Sequence, residues 1–240
     1  MTLRLSFIIV LCYLSSWAYS QEDGFKPQVW NNTSIGWNSE NGFSVLNTLS
    51  YYVLLSNEVP WNEFSNTFST AYTFNPHISV TGGFYASRTK QSASLSSSEL
   101  RPTLAFRLST HDQNRWRVSN NSKFEFRFLN YTGDTKDYTT RFRNKTLVSV
   151  AVKESNFQQD GSIVLFSFFE VFHNFEKNTV ERFFATAKVK VGVAYRMSYN
   201  WRFDLGLIYL DASNTIVEPT ILPGNIITNY ILDWGIYYIF

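Results

Sequence analysis

Charged side chains recur at every second residue along several segments of the chain. Glu99, Arg101 and Arg107 alternate with leucine and phenylalanine between residues 98 and 110, and Glu125 and Arg127 do the same between residues 115 and 131. Residues two apart in a strand share one face, so the charges lie on one side and the apolar residues on the other. Opposite charges on adjacent strands predict ion pairs across a sheet.

The polar face predicted in this way is basic. It carries Arg101, Arg107, Arg115, Arg117, Lys123, Arg127, Arg141, Arg143, Lys145, Arg182, Lys188, Lys190, Arg196 and Arg202 against Glu99, Glu125, Glu170 and Asp204. An ion removed from water needs a partner, so we expect an ion-pair network of Glu99, Arg101, Arg107, Glu125, Arg127, Arg141, Arg143 and Glu170. This ladder either fills an interior or forms a path or pocket for an anionic solute, and the residues leave both open.

Catalytic chemistry has little support in the sequence. His173 lies on the same strand face as Phe169 and Val171, so we expect it on the apolar face near a membrane rim. A lipid-modifying enzyme would place its catalytic base at such a rim. The alternation pattern does not identify a nucleophile that would act with this histidine. The sequence has no ligand cluster at metal spacing, no glycine-rich phosphate loop and no nucleic-acid motif, so we expect no cofactor, no metal and no nucleic-acid partner.

The charged residues lie within eleven segments of period-two alternation. Their predicted bounds are 28–37, 43–55, 61–74, 78–88, 98–110, 115–131, 138–152, 162–175, 182–196, 200–211 and 226–240. Segments of roughly 12 residues exceed the usual strand of a soluble sandwich and suit a membrane crossing. A soluble, secreted β-sandwich is the alternative.

The predicted fold is an all-β, antiparallel up-and-down transmembrane barrel of about 10, possibly 12, strands. Eleven segments conflict with the even number that single-chain bacterial barrels normally have. If the strands are counted back from the C-terminus and each one reverses direction, segment 28–37 begins on the wrong side of the membrane. We therefore expect either that 28–37 is a lead-in segment or that one further strand is missed.

The first 20 residues are typical of a signal peptide. Arg4 precedes an apolar run from Leu5 to Leu14, and Ala18-Tyr19-Ser20 provides the small residues that signal peptidase reads. The run is about half the length of a membrane-spanning helix, which disfavours an N-terminal anchor. We expect cleavage after Ser20 and a barrel over residues 21–240. Cys12 is lost with the signal, so the mature chain has no cysteine for a disulfide.

The composition and the chain end favour a Gram-negative outer membrane. Aromatic residues make up 18% of the chain, and Trp116, Trp201 and Tyr209 fall near strand ends, as in the interfacial girdles of membrane barrels. The last strand ends on Phe240, which resembles the signal read during barrel assembly. Outer-membrane lipids and the barrel-assembly machinery are therefore the expected partners.

One group of polar residues breaks the apolar face. Asn120 and Ser122, with Asn144 and Thr146 on the next segment, have lipid-facing parity. An unpartnered amide in hydrocarbon costs a few kcal/mol. A β-bulge that turns these side chains inward is the favoured explanation, and a patch that pairs with another subunit or membrane protein is the sharper one.

From Val29-Trp30 onward the chain resembles the outer-membrane barrel family catalogued as domain of unknown function 2490. The likeness is carried by Glu99-Leu100-Arg101-Pro102, by residues 123–128 with Arg141-Phe142-Arg143, and by residues 169–172. It implies a membrane barrel and no activity. We expect a structural or partner-binding barrel with a largely filled lumen; a small anion channel and a membrane-embedded lipid-modifying enzyme are the alternatives.

Overall fold

The computed structural model describes residues 27–55, 60–110, 115–133, 135–152, 157, 159–176, 179–181, 183–216 and 226–240. The predicted signal peptide, Cys12 and the predicted cleavage point lie outside the described residues. No helix in the described part of the chain is long and apolar enough to cross a membrane.

The described residues form eleven strands, and each strand begins and ends within two residues of its predicted bounds. Alternation at period two is a strong local signal, which is why the bounds could be read so closely. The strands are β1 Gln28–Asn38, β2 Phe43–Leu54, β3 Asn62–Asn75, β4 Ile78–Lys90, β5 Ser96–Ser109, β6 Trp116–Tyr131, β7 Lys136–Ala151, β8 Ile163–Asn174, β9 Phe184–Arg196, β10 Trp201–Ser213 and β11 Ile226–Ile239.

The strands close into one barrel in chain order, with β1 against β11. This excludes the β-sandwich alternative. The count of eleven lies inside the expected range, but the interpretation of 28–37 as a lead-in segment is wrong. It forms β1, which pairs with β2 and, from Gln28↔Ile231 to Gly36↔Ile239, with β11.

The β1–β11 pair is parallel, and the other ten pairs are antiparallel. Each hairpin reverses the chain, so the first and last of eleven strands run in the same direction. This parallel seam corrects the expectation of a purely antiparallel barrel.

The barrel has two distinct ends. The turn end carries the connections 39–42, 76–77, 110–115, 152–162 and 197–200, and the loop end carries 55–61, 91–95, 132–135, 175–183 and 214–225. Most of the shorter connections lie at the turn end, and in outer-membrane barrels the shorter connections face the periplasm. β1 begins at the loop end, beside Leu55, whose backbone N–H donates to the carbonyl of Pro27.

The barrel is apolar outside and polar inside. Among the described residues, forty large apolar side chains are exposed and fourteen apolar residues are buried, whereas Glu125 and Arg127 are each only 1% exposed. A folded protein in water does not expose so much contiguous apolar surface. The outer wall is therefore suited to hydrocarbon.

Candidate functional site

A chain of ion pairs crosses the inner wall, and Glu125 is at its centre. One carboxylate oxygen of Glu125 lies 2.7 Å from Arg141 and 3.6 Å from Arg101, and the other lies 2.8 Å from Arg143. Register explains the convergence, because Glu125 on β6 faces Arg141 on β7 directly. Three guanidinium groups on one buried carboxylate form a charge-assisted junction between β5, β6 and β7.

The chain extends toward the loop end through Glu99. Its carboxylate accepts paired hydrogen bonds from Arg101, at 2.6 and 2.7 Å, and from Arg127, at 2.7 and 3.0 Å. Arg127 also donates to Glu181, which lies in the β8–β9 connection. The ion pairs therefore fasten a loop to the barrel wall.

On the other side of the junction the chain reaches β9. Arg143 donates to Glu170 on β8 at 2.7 and 3.0 Å, and the Lys188 ammonium lies 3.0 Å from the second oxygen of Glu170. The guanidinium of Arg143 also packs over the Phe172 ring, 4.8 Å from its centroid. Ion pairs therefore connect five consecutive strands, β5 to β9.

A second cross-strand pair depends on a glycine. Lys190 on β9 reaches over β10 and pairs with Asp233 on β11. The wall between them carries Gly206, and a Cβ there would lie 2.5 Å from Cε of Lys190 and 2.9 Å from the carbonyl oxygen of Val191. The missing side chain at Gly206 therefore provides the path of the lysine.

An apolar cluster lies toward the loop end of the lumen. Its buried members are Ala185, Ile208, Leu210, Ala212 and Ile231, and Trp30, Phe172 and Phe183 pack against it. Phe183, just before β9, meets Trp61, just before β3, with ring centroids 4.9 Å apart and the ring planes at 88°. Since these two residues belong to connections far apart around the barrel, their contact spans the lumen.

The loops over this cluster are tied to one another. Thr215 donates its backbone N–H to the carbonyl of Glu181 at 2.9 Å, and Glu181 donates its own N–H to the Thr215 hydroxyl at 2.7 Å. The backbone N–H of Val180 donates to the Tyr131 hydroxyl at 3.2 Å. Residues 179–181 of the β8–β9 connection and 214–216 of the β10–β11 connection are thus bonded to each other and to Tyr131 of β6, and we call these six residues the lid.

Glu176 holds the start of the β8–β9 connection on β7. Its carboxylate accepts hydrogen bonds from the Thr140 backbone N–H at 2.7 Å and from the Thr139 hydroxyl at 2.8 Å. These bonds favour the ionised carboxylate and lower the pKa of Glu176 below its ordinary value. The contact is therefore complete at neutral pH.

The opposite half of the lumen contains a cavity of about 280 Å³, which we call the turn-end cavity. Five of its lining residues are basic and one is a carboxylate. The Arg202 guanidinium donates to Asp204 at 2.7 and 2.8 Å, and Arg117 packs over Phe157, 4.6 Å from the ring centroid. The lining is Arg117, Lys145, Leu147, Ser149, Phe157, Val164, Phe166, Phe168, Lys190, Ala194, Arg196, Arg202, Asp204 and Tyr237.

The polar group on the outer wall is satisfied internally. Asn120 and Asn144 exchange amide hydrogen bonds at 2.9 and 3.0 Å, and their second N–H groups donate to Thr146 at 3.0 Å and to Ser122 at 2.9 Å. The β6–β7 register is continuous from Trp116↔Val150 to Asn130↔Lys136. The expected β-bulge is therefore wrong, and the side chains face outward. Mutual pairing removes most of the cost of placing these amides in hydrocarbon.

A similar pair lies on another part of the outer wall. Asn66 on β3 donates its amide to the side-chain oxygen of Asn47 on β2 at 3.0 Å. Asn47 faces Phe68 in the register, so the two amides meet diagonally, as Asn120 and Asn144 do. In both places, a diagonal cross-strand pair lets two asparagine amides hydrogen-bond to each other on an otherwise apolar surface.

Residues 27–215 match the model of the family described as "Protein of unknown function (DUF2490)". The chain belongs to this family. No curated protein sequence matches it.

Three solved barrels are similar to this DUF2490 chain. The NanC porin aligns with a TM-score of 0.52 at 8% identity, covering 88% of this chain and 97% of that one. The KdgM porin has a TM-score of 0.41 at 16% identity, covering 74% and 81%. The β-domain of the Bordetella autotransporter BrkA has a TM-score of 0.45 at 10% identity, covering 85% and 86%. The NanC likeness establishes a porin-type barrel fold.

Seven residues of the predicted network meet in ion pairs of this DUF2490 barrel: Glu99, Arg101, Glu125, Arg127, Arg141, Arg143 and Glu170. Arg107 is half-buried on the inner face of β5. Arg115 is exposed in the turn before β6, because the strand begins one residue later. Arg182 lies outside the described residues. His173 is exposed on the outer wall, with its ring 4.9 Å from that of Phe175.

Sequence reasoning missed three lumenal carboxylates. The period-two alternation places Asp233 and Glu63 on the inner face of the barrel. Asp233, for example, lies between the outward Leu232 and Trp234. Glu63 accepts a hydrogen bond from the Tyr85 hydroxyl. Glu181 had no such signal, because its loop turns inward only in the folded barrel. The described residues contain no group of three His, Cys, Asp or Glu side chains placed to hold a metal.

Proposed function

We propose that this chain is an outer-membrane barrel whose lumen is closed in the resting state, and that it acts as a structural or partner-binding protein. The observation that carries the proposal is the apolar cluster at the loop end, where Ile231 is fully buried and the Trp61–Phe183 contact spans the lumen. A water-filled pore would leave lumenal side chains at this level exposed.

The outer surface supports the membrane location. Aromatic pairs lie at both ends of the apolar wall: Trp201 and Tyr238 at the turn end, with centroids 4.7 Å apart, and Tyr209 and Tyr230 at the loop end, 5.7 Å apart. Amphipathic rings at two levels are typical of the two membrane interfaces.

The ion-pair chain supports the closed state. Glu125 and Arg127 have almost no exposed surface. The charge of Glu125 is compensated by three arginines and that of Arg127 by Glu99 and Glu181, instead of by water. Buried and fully paired charges hold wall segments in one arrangement, which suits a barrel that presents a fixed surface.

Conductance in planar lipid bilayers tests the proposal. We expect the wild-type barrel to be silent at moderate voltage and the double variant Trp61→Ala/Phe183→Ala to conduct, because it removes the rings that meet across the lumen. Phe64→Ala is the matched control, since Phe64 is 56% exposed on the outer wall of β3.

Each outcome has a defined meaning. Stable wild-type conductance with anion preference would refute the closed barrel and favour the channel. Wild-type cells whose lipid A or phospholipids differ from those of a deletion strain would favour the enzyme. Recovery of unheated mature protein in the soluble periplasmic fraction would refute the membrane location.

A further inference from the structure

The turn-end cavity has positive charge at both of its ends. Arg196 and Arg202 lie near its mouth, beside the 197–200 turn, whereas Lys145 and Lys190 lie deeper along β7 and β9. Two of these four cations are neutralised, Arg202 by Asp204 and Lys190 by Asp233. Arg117, the fifth cation of the lining, packs over the Phe157 ring. Lys145 and Arg196 remain to be considered as ligand contacts.

The ammonium group of Lys145 contacts an aromatic ring instead of a carboxylate. Its ammonium lies over the Phe168 ring, 5.3 Å from the centroid, and within the described residues no carboxylate lies at ion-pair distance from it. Glu170 faces Lys145 in the β7–β8 register and its charge acts on the lysine, but the ion-pair contacts of its carboxylate are to Arg143 and Lys188. An ammonium group removed from water needs acceptors for its three N–H groups.

Arg196 leaves positive charge at the mouth. Its guanidinium donates to the backbone carbonyls of Phe157, at 3.2 Å, and Tyr199, at 2.8 Å. These neutral acceptors orient the group without cancelling its charge. The carboxylate that acts on it electrostatically is that of Asp160, an exposed residue of the β7–β8 connection. An anion entering from the turn end therefore meets an oriented guanidinium first.

Between the two cations the β7 and β8 walls of the cavity are largely apolar, with Ser149 as a polar neighbour, whereas the β10 wall carries Asp204. Leu147, Val164, Phe166 and Phe168 line this middle part. Phe166 lies against the wall because residue 192 is glycine, where a Cβ would come within 2.6 Å of the ring. A ligand with an apolar body would fill this part better than a hydrated inorganic ion.

We infer that the turn-end cavity is a binding site for a small organic anion, one with a carboxylate or phosphate group attached to an apolar or aromatic body. Lys145 binds the anionic group, Arg196 orients the ligand at the mouth, and Phe166 and Phe168 contact its body. The site lies inside the lumen, so its ligand comes from water and not from the lipid that contacts the outer wall.

Calorimetric titration of the mature barrel in neutral detergent tests this inference, with phenyl phosphate as the probe. We expect saturable binding of one phenyl phosphate, weaker binding of inorganic phosphate, and none of phenyltrimethylammonium, which has a similar body and the opposite charge. Lys145→Met keeps the length of the side chain and removes the charge, and should weaken binding about tenfold or more. Lys136→Met is the matched control, because Lys136 is exposed at the loop end.

Absence of saturable binding, equal affinity in Lys145→Met and wild type, or binding of phenyltrimethylammonium would each overturn the assignment. Heat-modifiable migration on gels checks that each variant is folded, and Arg196→Gln provides a second test at the mouth if Lys145→Met does not fold. The site does not depend on a closed lumen, so a conducting barrel that binds phenyl phosphate would refute the proposed function and leave this inference intact.

Discussion

Replacing Glu125 with glutamine removes the centre of the ion-pair chain and preserves the volume of the side chain. Arg101 keeps Glu99, and Arg143 keeps Glu170. Among the described carboxylates, Arg141 pairs only with Glu125, and its other close contact is the Phe172 ring at 5.3 Å. The substitution therefore leaves one buried guanidinium without compensation.

Breaking a buried ion pair by removing one partner costs about 3 to 5 kcal/mol. With a urea dependence of about 2 kcal/mol per molar, the unfolding midpoint of Glu125→Gln should fall by roughly 2 M. Tryptophan fluorescence of the barrel refolded in lipid vesicles measures this midpoint. Glu40→Gln is the matched control, since Glu40 is exposed in the β1–β2 turn, and it should leave the midpoint unchanged.

A second substitution distinguishes lost charge compensation from lost packing. Arg141→Met in the Glu125→Gln background removes the uncompensated guanidinium, so it should restore part of the lost stability. Equal midpoints for Glu125→Gln and Glu40→Gln would refute the reasoning, because they would mean that the Glu125 carboxylate is solvated.

Three further predictions follow from the walls and ends of the barrel. Gly206→Val should displace Lys190 from its carboxylate partner on β11 and lower the urea midpoint, and an unchanged midpoint would mean that the lysine has another path. Thr135→Cys, at the loop end, should react with a membrane-impermeant maleimide on intact cells while Glu40→Cys, at the turn end, should not; the reverse pattern would invert the orientation. Asn144→Leu should destabilise the barrel by about 1 to 3 kcal/mol because the Asn120 amide loses both of its hydrogen bonds to Asn144. Replacing both amides with leucine should be milder, and a double variant at least as unstable as the single one would contradict mutual pairing.

The sequence by itself determined the strands and their faces. Alternation is a local property, so it assigned Glu99, Glu125 and Glu170 to the inner wall and the phenylalanines beside them to the outer wall without knowledge of the neighbours. The same rule would have found Asp233 and Glu63. It correctly gave outward parity to Asn120 and Asn144, and the expectation of a bulge failed because amides on neighbouring strands satisfy each other.

Closure, the lid and the turn-end cavity were decided only by the tertiary structure. β1 meets β11 across some 200 residues of sequence, as in the hydrogen bond from Asn32 to Asp233, and no local pattern specifies such a pairing. Glu181 and Trp61 lie in connections, where side chains have no periodicity to read. The positions of these side chains follow from which loops the closed barrel brings together, and that depends on the number and register of all eleven strands.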